Sequence, residues 1–160
     1  MNGGVPLAAD AERALAAVAG DGAVTEAEIW ATVDLERTLA ELGIEGLAAS
    51  AAAAARPDPL LGARALIVPA GPDGPRRAFA EPTTEGRLAA TLARHGEGPA
   101  GRYLAVGDDL DAARTRATAA GIPVSRIEAG PFGPSMLVLI GPVSGPHLIL
   151  CDPAAVPSAP

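Results

Sequence analysis

Residues 81–110 read EPTTEGRLAATLARHGEGPAGRYLAVGDDL, and their composition changes several times within thirty positions. The stretch predicts a strand end, a proline turn, a helix to about His95, a glycine linker and a new strand, then a helix opened by Asp109. Thr83 or Thr84 is expected to cap the first of these helices. A segment of this kind joins two modules in one chain, so similar elements are expected on both sides of it.

Composition limits the class of protein. The chain has 160 residues, 49% hydrophobic and 2% aromatic, which predicts an aliphatic core shared by two halves too small to fold alone. A net charge of −7 and the scarcity of aromatic residues disfavour a nucleic-acid partner. Cys151 is the single cysteine, so an intrachain disulfide and a cysteine-rich zinc site are excluded. Because neither a signal-peptide pattern nor a membrane-spanning apolar run is found, we expect a cytoplasmic protein without a membrane partner.

The first half of the chain begins with a helix that Asp10 is expected to cap and that ends near Ala19. AEIWATV at 27–33 predicts a strand. Asp34 then caps a second helix, in which leucines recur at i, i+4 and i+7 along one face.

A hairpin is predicted next, formed by ARALIV at 63–68 and by residues 77–81. The alanine run at 48–55 is ambiguous. Helix propensity favours a helix there. The order of elements favours a strand, and the breaker Arg56-Pro57-Asp58-Pro59 at its end agrees with that interpretation.

The second half repeats this order. RYLAV predicts a strand, Asp109 opens a helix that Gly121 ends, and three further strands follow. The predicted strands are residues 102–106, 124–128, 135–140 and 146–151. The predicted organisation is an N-terminal tail with a short helix (1–22), a first module with the linking helix (23–98), a second module (99–152) and a tail (153–160).

The chain resembles the vicinal oxygen chelate superfamily, which includes glyoxalase I, methylmalonyl-CoA epimerase and bleomycin-resistance proteins. The likeness to epimerase-like members rests on Ala80-Glu81-Pro82, the helix at 87–94, Gly96-Glu97-Gly98, the strand at 102–106 and Asp108-Asp109-Leu110. It covers roughly residues 26–152. It implies an α+β fold in which two βαβββ modules form an open half-barrel cup around a ligand.

The family takes its metal ligands from four strands, typically His, Glu or Gln, His and Glu. The corresponding positions here are near Ala27, Ala78, Arg102 and Ile149. None is a usual ligand, and an arginine has no lone pair to offer a cation. The resemblance therefore implies a member without a catalytic metal, and no other cofactor is expected. Glu26, Glu28 and Glu81 are near enough to these positions for a shift of one or two residues to matter.

Arg102 is the first candidate binding residue. If it faces the cup, it binds a carboxylate, phosphate or enolate oxygen, and Leu104 lines the cup beside it. The alternative is an ion pair with Glu81 or Glu97 at the rim of the cup.

His147, Ile149 and Cys151 share a face, the one that would carry the fourth ligand. His147 is a candidate general acid or base; the alternative is a partly solvated histidine at the start of a strand. Cys151 is predicted to be a small buried hydrophobe rather than a nucleophile. His95 suits the C-terminal end of its helix, where a cation is favoured.

Phe132 lies on a glycine–proline loop, where it is either a lid over the cup or an anchor for the loop. Met136, Val138 and Ile140 occupy every second position of one predicted strand, so they share a face. They form either the floor of an apolar pocket or plain core. Two further aromatic residues are expected to pack in the core, Trp30 and Tyr103.

These residues favour a metal-independent protein that binds a small, largely apolar metabolite in a sequestering or carrier role, as in resistance or secondary metabolism. The alternative is a metal-free enzyme catalysing isomerisation, cyclisation or proton transfer on a carbonyl or acyl-thioester substrate. In that enzyme Arg102 stabilises an oxyanion, and His147 or a glutamate moves the proton. Binding ranks ahead because no acid–base pair stands out. The sequence leaves open whether the chain forms a homodimer.

Overall fold

A computed structural model describes residues 9–44, 54–69, 72 and 74–153 of the chain. The helices of this part are α1 (Ala9–Ala19), α2 (Leu35–Glu41), α3 (Arg87–His95) and α4 (Leu110–Ala120). The strands are β1 (Val24–Ala31), β2 (Arg56–Asp58), β3 (Ala63–Val68), β4 (Arg77–Pro82), β5 (Gly98–Ala105), β6 (Glu128–Gly130), β7 (Gly133–Val138) and β8 (His147–Cys151). The α+β class predicted from the sequence is confirmed.

All eight of these strands belong to one mixed sheet, in the order β2-β3-β4-β1-β5-β8-β7-β6. In the first half β1 pairs in parallel with β4, and antiparallel pairs extend the sheet to β3 and β2. In the second half β5 pairs in parallel with β8, followed by β7 and β6. The halves meet at the antiparallel pair of β1 and β5. Each half therefore has the strand order that two βαβββ modules require.

The sheet curls until its two ends nearly meet. The end strands β2 and β6 lie against each other, and Nη1 of Arg56 donates to the carbonyl oxygen of Pro131 at 3.1 Å. The half-barrel consequently has an inner face and an outer face with different surroundings.

The inner face holds a large apolar cluster, in which α3 packs through Leu88 and the strands contribute mostly alanine. On the outer face of the second half, α1 and α4 cover the sheet through Leu15, Val18 and Ala113, among others. On the outer face of the first half, α2 packs Leu35 and Leu39 on β3 and β4. Since burial of apolar surface is the main stabilising term, both faces contribute to the core.

Local chemistry fixes the helix ends. The carboxylates of Asp34 and Asp109 accept hydrogen bonds from the third residue of α2 and α4, at 2.9 and 2.7 Å. Gly121 ends α4 in the left-handed conformation, with φ 69°. These predictions are confirmed. Asp10, however, lies inside α1 rather than at its cap.

Two features in the centre of the chain differ from the prediction, the cap of α3 and the position of β2. The cap of α3 is Gly86, whose lack of a side chain leaves the first turn without a side-chain cap, so the expected cap at Thr83 or Thr84 is wrong. The second strand of the first half is β2, which lies in the predicted breaker. Pro57 is tolerated there because β2 is an end strand. The alanine run lies largely in residues 45–53, outside the described part.

Strand boundaries in the second half also differ from the prediction. The central strand β5 begins at Gly98, four residues before the predicted start, because pairing with β1 and β8 overrides the low strand propensity of glycine and proline. Strand β6 lies at Glu128–Gly130 and shares only Glu128 with the predicted strand at 124–128; before it, Val124 forms an isolated bridge with Val138 and the Ser125 amide donates to the Leu137 carbonyl. No helix within the described ranges is long and apolar enough to cross a membrane.

Candidate functional site

The inner face of the four central strands is where a metal site would lie in this type of fold. Ala27 on β1 is paired with Tyr103 on β5, and Tyr103 is in turn paired with Ile149 on β8. Ala78 lies on the inner face of β4 and is fully buried. Two methyl groups, a phenol and a branched alkyl group therefore form this wall. Within the described residues no three His, Cys, Asp or Glu side chains lie close enough together to hold a metal ion.

Tyr103 makes the central polar contact of the interior. Its hydroxyl donates a short hydrogen bond to Oδ2 of Asp58, on end strand β2. The other carboxylate oxygen accepts from the backbone amides of Leu60 and Leu61, at 3.1 and 3.3 Å. Both side chains are almost wholly inaccessible to solvent. The pair thus links the end of the sheet to its centre.

Burial dominates the acid–base properties of this pair. Desolvation raises the pKa of Asp58, although hydrogen bonds from Tyr103 and from the amides of Leu61 and Leu60 act in the opposite direction. Desolvation, and then the neighbouring carboxylate, raise the pKa of Tyr103 well above its ordinary value. A carboxyl group with a raised pKa next to a neutral phenol is able to accept or deliver a proton, provided that a substrate reaches it.

Phe132, in the turn between β6 and β7, packs on the tyrosine of this pair. Its ring centroid lies 5.0 Å from that of Tyr103, and the guanidinium carbon of Arg76 lies 5.4 Å from the Phe132 centroid. Arg76 also forms an ion pair with Glu26. Phe132 is 92% buried and packs on Tyr103, so it anchors its turn. The other role predicted for Phe132, a lid over the cup, stays a prediction.

His147 is buried and hydrogen-bonded, not partly solvated as in the alternative stated above. Its Nε2 lies 2.8 Å from the hydroxyl of Thr91 on α3, and that hydroxyl also contacts the carbonyl oxygens of Arg87 and Ser144. Burial, and then the charge of Arg87, lower the pKa of His147 to about 4. The neutral ring therefore links α3 to the start of β8 through a hydrogen bond. Among the described residues, no hydrogen bond joins His147 to Tyr103 or Asp58.

Arg102 lies on the outer face, so its expected orientation into the cup is wrong. Its Nη2 donates to both carboxylate oxygens of Glu12 on α1, each at 2.8 Å. This partner is neither of the two carboxylates proposed from the sequence, Glu81 and Glu97. Because side chains alternate along a strand, placing β5 one residue out of register exchanges Arg102 with Tyr103.

Three apolar residues predicted to line the cup also lie on the outer face. Leu104, Met136 and Val138 are buried beneath α1 and α4 and form plain core. Of the predicted ligand-binding residues, only Phe132 and Ile149 belong to the inner apolar cluster. Strand β7 contributes Leu137 to that cluster, not the predicted Met136 or Val138.

The remaining candidates have mostly structural contacts. Cys151 lies in the inner cluster, where burial and then Asp152 raise the pKa of its thiol to about 12, so it is the predicted buried hydrophobe. Trp30 packs near Phe79 on the outer face, as expected for core. Glu81 forms an ion pair with Arg64 at 2.6 Å.

Asp58 is the functional candidate that the sequence interpretation missed, because it stands between two prolines in a segment that reads as a turn. A usable signal was its isolation: a lone carboxylate between prolines is followed by the apolar pair Leu60 and Leu61. Such an aspartate commonly accepts from the amides two and three residues ahead, as it does here.

An apolar groove of about 400 Å³ lies on the opposite side of the sheet from this interior. It runs between the end of α2 and strands β3 and β4, and Leu42, Val68, Arg77 and Phe79 line it. Arg77 stacks on Trp30 at its edge, with 5.3 Å between guanidinium carbon and ring centroid. The groove is a second concave apolar surface, separate from the metal-site positions.

Comparison with solved structures shows the fold. Methylmalonyl-CoA epimerase from Mycobacterium tuberculosis superposes with a TM-score of 0.62 at 18% identity, over 81% of this chain and 87% of that one. A variant of the Streptomyces coelicolor epimerase in complex with 2-nitronate-propionyl-CoA gives 0.59 at 22% identity, over 85% and 98%. The hypothetical protein BH1468 from Bacillus halodurans C-125 gives 0.59 at 13%, over 82% and 95%. No family model and no curated protein matches the sequence. The chain thus has the vicinal oxygen chelate fold.

Proposed function

We propose that this protein is a metal-independent member of the vicinal oxygen chelate fold that binds a small, largely apolar molecule inside its half-barrel. One observation carries the proposal: Ala27, Ala78, Tyr103 and Ile149 line the wall where the fold otherwise presents metal ligands. A divalent metal needs several convergent nitrogen, oxygen or sulfur ligands. Methyl and branched alkyl groups instead favour contact with an apolar surface.

The interior also limits the polarity of the ligand. Alanine predominates on the inner strands, and the Tyr103–Asp58 pair is the polar group at their centre. A ligand that fits has an apolar body and a single hydrogen-bonding group, since any further buried polar atom would be left without a partner. Phe132 has to move for such a ligand to enter, because it covers Tyr103.

The metal-independence is tested by calorimetric titration of the apo protein with Zn²⁺, Co²⁺, Mn²⁺ and Mg²⁺. We expect no stoichiometric heat with any of them. A saturable one-to-one site whose affinity falls when Tyr103 is changed to phenylalanine would overturn the proposal.

The binding site is tested by two-dimensional amide NMR during titration with p-cresol, which combines an apolar ring with one hydroxyl. We expect saturable shifts at the inner strand positions Ala63, Ala65, Ala78 and Ala80, and about tenfold weaker binding in Tyr103→Phe. Phe79→Leu, on the outer face, is the matched control and should not change the affinity. Shifts confined to the groove around Leu42 and Val68 would contradict binding in the interior.

A second candidate function rests on the same buried pair. With Asp58 as base and the Tyr103 hydroxyl as donor to a carbonyl oxygen, the interior suits metal-free proton transfer next to a carbonyl. The epimerases with this fold suggest methylmalonyl-CoA as the first probe. Incorporation of deuterium at its α-carbon from deuterated water, unaffected by EDTA and abolished in Asp58→Asn, would favour the enzyme. Absence of exchange together with p-cresol binding favours the binding protein.

A further inference from the structure

A cavity of about 380 Å³ lies between α1 and the outer face of β5, on the opposite side of the sheet from the interior. Its lining comes from α1, from the turn at residues 20–23, and from two residues of β5, Arg102 and Leu104. The volume is at the small end of the range of ligand pockets, roughly 300–1,000 Å³.

Arg102 has unused hydrogen-bonding capacity at this cavity. Its Nη2 contacts Glu12, but its buried Nε has no hydrogen-bond partner in the described part of the chain. A buried N–H without an acceptor costs about 1–3 kcal/mol. The Nε and Nη2 of a guanidinium together form the edge that binds a carboxylate through two parallel hydrogen bonds. Because Nε itself is buried and Nη2 is shared with Glu12, an oxyanion satisfies the Nε hydrogen once the Arg102 side chain turns toward the cavity.

The same cavity carries acidic groups. The carboxylates of Glu12 and Asp21 belong to residues that line it. These groups repel a simple anion, and the net charge of −7 adds to that repulsion. They attract an ammonium group. The cavity therefore favours a small ligand that carries both a negative group, for the guanidinium, and a positive group, for the carboxylates.

The cavity also has an apolar lining. Leu15, Ala16 and Leu104 line it; Ala16 is exposed, whereas Leu15 and Leu104 are mostly buried and reach it only at their edges. We propose that this cavity binds a small zwitterion of the α-amino-acid type, with its carboxylate on Arg102, its ammonium group toward Asp21 and Glu12, and its side chain on these apolar residues. The site is independent of the proposed interior site.

The test uses L-leucine and two analogues that each lack one charge, isocaproate without the amine and isoamylamine without the carboxylate. Amide NMR of the full chain is expected to show saturable shifts with L-leucine at α1 and β5, and at least about tenfold weaker binding of either analogue. Arg102→Met should abolish the shifts, and Arg102→Lys should weaken binding, because lysine does not reproduce the bidentate edge. Arg64→Met, which removes an ion-paired arginine of the other half, should leave the affinity unchanged.

Circular dichroism establishes that each variant is folded, and Glu12→Gln gives a second variant if Arg102→Met does not fold. Since Glu12 is a proposed ammonium partner, Glu12→Gln should weaken L-leucine more than isocaproate. L-leucine without effect at millimolar concentration would overturn the proposal, and so would unchanged affinity in folded Arg102→Met. Isocaproate binding as tightly as L-leucine would identify a simple oxyanion site and overturn the zwitterion assignment.

Discussion

The Tyr103 hydroxyl donates a hydrogen bond to the Asp58 carboxylate, which is buried away from water. Removing it leaves a buried acceptor with one hydrogen bond fewer, and we expect Tyr103→Phe to lower the free energy of unfolding by about 1–3 kcal/mol. Asp58→Asn should destabilise as well, but the double variant should cost less than the two single changes added together. A coupling energy near zero in urea unfolding experiments would show that the hydroxyl and the carboxylate do not interact in solution.

His147 gives a pH dependence with a definite sign. Its pKa is lowered from 6.5 to about 4 in the folded protein, chiefly by burial, so between these values the unfolded chain binds more protons than the folded one. Stability from this residue is therefore fully present above pH 6.5 and decreases as the pH falls toward 4, by about 3 kcal/mol in total. The raised pKa of Asp58 acts in the opposite direction, so a comparison of variants is required.

His147→Gln isolates that contribution, because the amide does not titrate and is still able to hydrogen-bond the Thr91 hydroxyl. We expect unfolding free energies measured between pH 4 and 7 to fall more steeply with acid in the wild type than in this variant. Parallel curves would contradict a buried neutral histidine. His95→Gln serves as the control, because His95 is exposed at the end of α3.

The Gly96-Glu97-Gly98 linker does more than connect two modules. The Glu97 carboxylate accepts from the Thr32 hydroxyl and the Val33 amide, both at 2.9 Å, and forms an ion pair with Arg37 on α2. The linker between α3 and β5 is thereby attached to the turn between β1 and α2. These contacts, led by the Val33 amide, lower the pKa of Glu97.

We accordingly expect Glu97→Ala to destabilise the protein by about 1 kcal/mol and to increase amide exchange at Val33 and in the first turn of α2. The carboxylate at Glu41, exposed at the end of α2, provides a matched control in Glu41→Ala. Equal effects of the two substitutions would show that Glu97 acts only as a surface charge.

The elements also show what local sequence is able to predict. Caps at Asp34 and Asp109 and the stop at Gly121 depend on neighbouring backbone groups, so they were predicted with their residues. The start of β5 depends on pairing with β1 and β8, and the GPAG segment gives no local sign of a strand. The prediction assigned the inner face of β5 to Arg102, one residue away from Tyr103, which lies there in the structure. Because side chains alternate along a strand, this one-residue shift moved the candidate site to the outer face. Asp58 was missed for a related reason, since its partner is 45 residues away.

Closure of the half-barrel depends on two short strands at the ends of the sheet. β2 and β6 have three residues each. Besides its pairing with β3, two side-chain contacts join β2 to distant parts of the barrel, Asp58 to Tyr103 across the interior and Arg56 to the Pro131 carbonyl. Short end strands open more easily than central ones because they share few hydrogen bonds and little buried apolar surface. Access to the interior should therefore pass between β2 and the turn that carries Phe132.

Arg56→Ala tests this route, because it removes the contact between the sheet ends and leaves the interior side chains unchanged. We expect faster hydrogen exchange at residues 56–61 and 128–133 together, with unchanged protection in the central strands β1 and β5. If entry is limited by this opening, the association rate of p-cresol should also rise, while its affinity changes little. Arg64→Ala, on the neighbouring strand β3, should accelerate exchange only near its partner Glu81. Faster exchange in β2 without any change in β6 would mean that the two ends move independently, and the ligand would then need another path past Phe132.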